Sequence, residues 1–103
     1  GLTGFVAGLS RSHRLASRGV TINGLLPGAF ATERLAKTNR AAAEKRGVDE
    51  ETVGRERLSG IPAKRFGDAA EFGSVCAFLC SVHAGYITGQ NVLVDGGAFA
   101  GTL

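Results

Sequence analysis

Few residues in this chain are of types that do chemistry, and their spacing decides most of them. Ser10, Ser12 and His13 set two hydroxyls beside an imidazole, the beginnings of a nucleophile and its base. No acid stands near them to orient the imidazole, and helical spacing splays the three side chains apart, so no nucleophile is expected of them. Cys76 and Cys80 stand one helical turn apart, on one face, where adjacent turns are poorly placed for a disulfide. A zinc site needs more soft ligands than His13 and His83 can add, so no metal site is expected and both cysteines read as small buried residues. His83 precedes Gly85, where a cation suits the C-terminus of a helix. Arg11, Arg14 and Arg18 share one helix face, but the net charge is only +3 and acids interleave the bases from Glu44 to Arg57. That pattern is a solvated surface, and no nucleic-acid partner is expected.

Pro27-Gly28-Ala29-Phe30-Ala31-Thr32 is the stretch with the most to offer a ligand. Gly28 permits close approach of backbone to a bound molecule. The amide of Phe30 and the hydroxyl of Thr32 are suited to a flat polar group such as a carboxamide. Taken alone, a Pro-Gly dipeptide marks a turn. Its meaning depends on the elements around it.

Those elements follow from periodicity. Leu2, Phe5, Val6, Leu9 and Ala16 recur at helical spacing, giving a helix from Gly1 to about Ser17 that Gly19 ends. No Ser, Thr, Asp or Asn precedes it as a cap, so the helix is expected to begin upstream of Gly1. Gly4 and Gly8 lie one turn apart and would let another helix approach. Val20 to Leu26 is short, apolar and β-branched near its start, a buried strand of the kind parallel sheets use, closed by Pro27. Ala31 to Arg46 is alanine-rich and helical, Gly47 interrupts it, and Asp49 caps a second helix through Leu58. Neither has a strong apolar stripe, so the pair should lie over a surface. Ile61-Pro62 is a break. Asp68 opens another helix, with Glu71 at the capping-box position and a broad apolar face from Phe72 to Val82 that predicts burial, and Gly85 ends it. Asn91 to Val94 is a second strand, and Asp95-Gly96-Gly97 a turn. Strand, crossover helices and strand make a parallel, right-handed unit. Two strands are too few for an independent sheet, and in an open parallel sheet ligands bind beyond the carboxyl ends of the strands, where Pro27 to Thr32 lies.

Taken together, the motifs resemble the short-chain dehydrogenase/reductase family. Asn23, Pro27-Gly28 and Thr32 resemble the Asn-x-x-x-Pro-Gly-x-x-x-Thr stretch after its sixth strand. Ile61-Pro62, Arg65-Phe66-Gly67, Glu71 and Phe78-Leu79-Cys80-Ser81 resemble its penultimate helix region, and Tyr86-Ile87-Thr88-Gly89-Gln90 with Val94-Asp95-Gly96-Gly97 its closing motif. The resemblance implies an α/β fold, with residues 1–103 as the C-terminal portion of a Rossmann-type doubly wound parallel sheet within one NAD(P)-binding domain, incomplete alone. It implies hydride transfer between NAD or NADP and a carbonyl or secondary alcohol. Pro27, Gly28, Phe30 and Thr32 would then touch the nicotinamide end of the cofactor. Phe30 stands where the family more often has a branched aliphatic residue. The segment from Ala29 to Gly60 would be the substrate loop, and its long helical insert resembles that of reductases acting on 3-oxoacyl thioesters. The last helix and strand would contribute to the interface of a homotetramer.

The departures are as informative. The family's glycine-rich phosphate loop, its serine and its Tyr-x-x-x-Lys pair have no counterpart, and Tyr86 is followed four residues on by Gln90. No catalytic residue is therefore assigned, and the chain alone is expected to be inactive. The choice between NAD and NADP is made after the second strand of such sheets, outside this sequence. With no apolar run long enough for a membrane span and few cysteines, the expected setting is the cytoplasm, with no membrane partner. The competing reading is a non-catalytic oligomerisation or interaction module. It requires a polar surface flanking the strands, whereas Val20 to Leu26 is apolar.

Overall fold

The computed structural model describes residues 2–99. Helices α1 (Leu2–Ser10) and α2 (His13–Ala16) precede strand β1 (Gly24–Pro27). Helices α3 (Glu33–Arg46), α4 (Glu50–Ser59) and α5 (Ala69–Leu79) follow, then a 3-10 turn at Val82–Ala84 and strand β2 (Asn91–Val94). The strands pair in parallel, from Gly24 opposite Asn91 to Pro27 opposite Val94. This is the α/β fold with two parallel strands and crossover helices that the sequence implied.

Several boundaries differ from expectation. The first helix breaks at Arg11-Ser12. Ser10 is buried and its hydroxyl donates to the Ala7 carbonyl at 2.8 Å, a local bond that competes with the helical ladder. Ser12 then takes extended backbone (φ −65°, ψ 125°). Strand β1 starts at Gly24, not Val20, because the ladder with β2 is only that long. Upstream, Ile22 and Asn23 are held by the closing turn instead. Ile22 N–H donates to Thr88 Oγ1 at 3.1 Å, and Gly89 N–H to the Ile22 carbonyl at 2.8 Å. The Asn23 side chain donates to the Ile87 carbonyl at 3.1 Å and accepts from Gln90 N–H at 3.0 Å. Pro27 is the last ladder residue, yet Gly28 N–H still reaches the Val94 carbonyl at 2.9 Å.

The caps form where the sequence placed them. Asp49 accepts from Thr52 N–H at 2.7 Å, and Asp68 with Glu71 closes a capping box. Gly47, at φ 69°, turns the chain out of α3 in the left-handed region that glycine tolerates. Arg40–Glu50 at 3.1 Å and a two-pronged Arg46–Glu56 pair at 2.6 and 3.0 Å tie α3 to α4.

The burial expected of α5 is not found. The helix ends at Leu79, none of its residues is buried, and Phe78, Cys76 and Cys80 are exposed. The two-stranded sheet is too narrow to cover an apolar face that wide. Gly4 and Gly8 likewise face open space. Buried apolar residues among those described are Ala43, Val53, Ile61 and Ala84. The radius of gyration is 17.3 Å, against about 13 Å for a compact domain of this length. The apolar faces of β1 and α5 thus remain open, as expected of a sheet too small to enclose a core.

Candidate functional site

At the carboxyl end of β1 the chain opens into a cleft of about 430 Å³, within the size range of small-molecule sites. All four residues singled out from the sequence, Pro27, Gly28, Phe30 and Thr32, line it. Helix α3 adds Arg34, Leu35 and Thr38, and α5 adds Ala69 and Phe72.

Phe30 is fixed by both its backbone and its ring. It bridges in parallel to Gly67 through its neighbours: Ala31 N–H donates to the Gly67 carbonyl at 2.9 Å and Gly67 N–H to the Ala29 carbonyl at 3.0 Å. The amide of Phe30 itself takes no part in these bonds and stays available as a donor. Its ring meets Phe72 edge-to-face, with centroids 5.5 Å apart at 84°, a favoured aromatic geometry. A Cβ on Gly67 would lie 2.5 Å from the Phe30 ring, so Gly67 is what lets the ring fold down here. The Phe30 ring is thus accommodated by Phe72 and Gly67.

Thr32 caps α3, its hydroxyl oxygen accepting from Leu35 N–H at 3.3 Å. Capping engages the hydroxyl only as an acceptor; its O–H remains to donate. Gly28 has an explanation besides the one the sequence suggested. A Cβ there would lie 2.6 Å from Asp95 Cβ and 2.7 Å from Asp95 Cα. Packing against Asp95 is by itself enough to require glycine at this position.

Asp95 and Arg65 entered the sequence reading only as parts of motifs, with no role at the site. Asp95 gathers the closing turn, accepting from Gly97 N–H and Phe99 N–H, each at 3.0 Å. Arg65 grips Glu71 with two prongs, at 2.7 and 2.8 Å. That guanidinium, followed by the Asp68 N–H, pulls the Glu71 carboxyl down to about 2. The pair lines a smaller pocket with Gly67, next to the cleft and sharing Ala29 and Phe30 with it. Alternating charge around Arg65 and Glu71 was the available signal, but pairing across the helix start depends on the turn geometry. Phe72 was assigned to the core by its periodicity; it lines the cleft.

Among the described residues no cluster of three His, Cys, Asp or Glu could hold a metal, and no helix is long and apolar enough to cross a membrane.

The profile of the family described as enoyl-(acyl carrier protein) reductase matches residues 2–98. The chain is 39% identical over 87 residues to the NADPH-dependent reductase BacG of Bacillus subtilis, covering 84% of this chain and 34% of that protein. It is 38% identical over 99 residues to the 3-oxoacyl-(acyl-carrier-protein) reductase FabG of Escherichia coli, covering 96% of this chain and 35% of that one. Among solved structures, YwfH, described as an NADPH-dependent reductase involved in bacilysin biosynthesis, superposes with a TM-score of 0.85 at 35% identity, over 98% of this chain and 37% of that chain. A variant of actinorhodin polyketide ketoreductase with NADPH superposes at 0.81 and 26% identity, over 95% and 37%. The chain therefore spans about a third of the length of the relatives it matches. It carries the motifs, the parallel strand pair and the profile of one family: it belongs to the short-chain dehydrogenase/reductases.

Proposed function

We propose that residues 1–103 form part of a single NAD(P)-binding domain in a cytoplasmic reductase, where they supply the wall against the nicotinamide and the helical cover over the substrate. The reading rests on one observation above all: Pro27, Gly28, Phe30 and Thr32, chosen from the sequence, meet at one cleft beyond the carboxyl end of β1. The groups present fit a carboxamide-bearing ring. The Phe30 amide and the Thr32 hydroxyl can donate, and Phe30 and Phe72 offer apolar surface. When bound, the nicotinamide supplies the hydride; this chain's residues orient the ring and exclude water from one side of it. Proton transfer to the substrate oxygen falls to a tyrosine and lysine outside this sequence, and the chain alone is inactive. Similarity to FabG favours a 3-oxoacyl thioester as substrate and similarity to BacG favours NADPH. A homotetramer is the proposed assembly.

Reductase assays on the full-length protein test this reading. The expected result is NADPH oxidation driven by a 3-oxoacyl thioester, with none from residues 1–103 alone. Turnover by the verified 103-residue chain refutes the division of labour. Activity only with a sugar or steroid alcohol refutes the substrate class.

A further inference from the structure

The cleft has one charged lining residue, and it is a cation. Arg34 lines the cleft from the first turn of α3, one helical turn before Thr38, whose hydroxyl donates to the Arg34 carbonyl at 2.9 Å. The guanidiniums of Arg40, Arg46 and Arg65 have carboxylate partners within 4 Å, but Arg34 has none among the described residues. The neighbouring Glu33 is not part of the cleft lining. A guanidinium with no carboxylate partner at the rim of an apolar cleft is available to an anion entering that cleft, and its planar fork suits phosphate. Thr32 stands two residues away with a hydroxyl proton to donate to the same group. We infer that Arg34 binds a phosphate group of the ligand held in this cleft. Two ligands of the proposed reaction carry one within reach of this chemistry: the diphosphate of the dinucleotide and the phosphate of a phosphopantetheine-borne thioester. The inference rests on the nicotinamide reading of the same cleft.

Titration calorimetry on the full-length protein, as wild type, Arg34→Gln and Arg34→Lys, separates the cases. The ligands are NADPH, pantetheine 4′-phosphate, and pantetheine without the phosphate. Arg34→Gln should weaken one of the two phosphate ligands by about tenfold to a hundredfold, the range for a charge-assisted hydrogen bond. Arg34→Lys should restore part of that loss, and pantetheine should bind the three proteins alike. Whichever phosphate ligand responds identifies the source. Because Arg34 is exposed, the melting temperature should hold within error. Unchanged affinity of Arg34→Gln for both phosphate ligands overturns the inference while leaving the nicotinamide reading intact. Failure of the wild type to bind NADPH or NADH sinks the nicotinamide reading. The pantetheine pair then decides on Arg34, and equal binding with and without the phosphate overturns it.

Discussion

Thr32 caps α3 and is proposed to bind the cofactor, and one substitution can separate the two roles. Thr32→Val keeps the side-chain shape and removes the hydroxyl. The cap it loses is a bond of 3.3 Å to Leu35 N–H, beyond the usual N–H···O range. Its contribution therefore belongs at the low end of measured caps, about 0.5–1 kcal/mol. In a protein of about 150–250 residues that lowers the melting temperature by about 1–4 °C. The hydroxyl proton is a separate matter. If it donates to the carboxamide, the loss is about 0.5–1.5 kcal/mol, and to a phosphate about 1.5–3 kcal/mol. Cofactor affinity should then fall between about twofold and a hundredfold. Calorimetric titration of the full-length protein with NADPH and NADH reports the second effect, and a melt without cofactor reports the first. Thr32→Ser should restore both. A lowered melting temperature with undiminished affinity would refute the binding role and leave Thr32 as a helix cap alone.

Other perturbations test the frame around the cleft. Gly28→Ala drives a methyl group into the Asp95 backbone; overpacking of this kind costs about 1–3 kcal/mol, visible as a lower melting temperature and faster hydrogen exchange of the β1–β2 ladder. Asn23→Leu leaves the Ile87 carbonyl and Gln90 N–H without their side-chain partner and should destabilise by about 1–3 kcal/mol, whereas an unchanged denaturant midpoint would show that water replaces the amide. Glu71 is depressed from 4.5 to about 2 by Arg65, so its contribution to stability is complete above the unfolded value and is lost as pH falls through the folded one. In Arg65→Gln the Glu71 carboxyl should titrate nearer its ordinary value by carbon NMR, still held below it by the Asp68 N–H, and its part of the acid destabilisation between about pH 4.5 and 2 should shrink; an unmoved titration would refute the pairing.

The parts of this fold written locally were legible in the sequence. Asp49 and Asp68 cap helices because a short acid side chain reaches amides two or three residues ahead, and that reach does not depend on distant packing. Asn91 to Val94 was bounded correctly because Gln90 and Asp95 flank it with turn chemistry. The cleft was found through Pro27-Gly28 and Thr32 since its position follows from strand direction alone. What failed depended on neighbours. The apolar stripe of α5 predicted burial for Cys76, Cys80 and Phe78, but periodicity says which face is apolar and not whether anything covers it. The start of β1 was misplaced because β-branched Val20 to Ile22 satisfy their backbone partly through Thr88 and Gly89, far along the chain. The packing of Gly28 against Asp95 was not legible because the two are equally remote in sequence.

The bonds that Asn23 and Ile22 make with residues 87–90 pin the two ends of a long excursion that includes the α3–α4 pair. Once those ends are fixed, lengthening the excursion is a small perturbation, since doubling a flexible loop adds only about 0.6 kcal/mol of closure entropy. Thr32 and Ile61 bound the region over the cleft, while Gly28, Gly67 and Asp95 sit outside it on the pinned frame. Insertions between residues 33 and 60 can therefore vary the cover without moving the Phe30 amide. Under the proposed function, the shape of the substrate cover can change independently of the wall proposed to meet the nicotinamide.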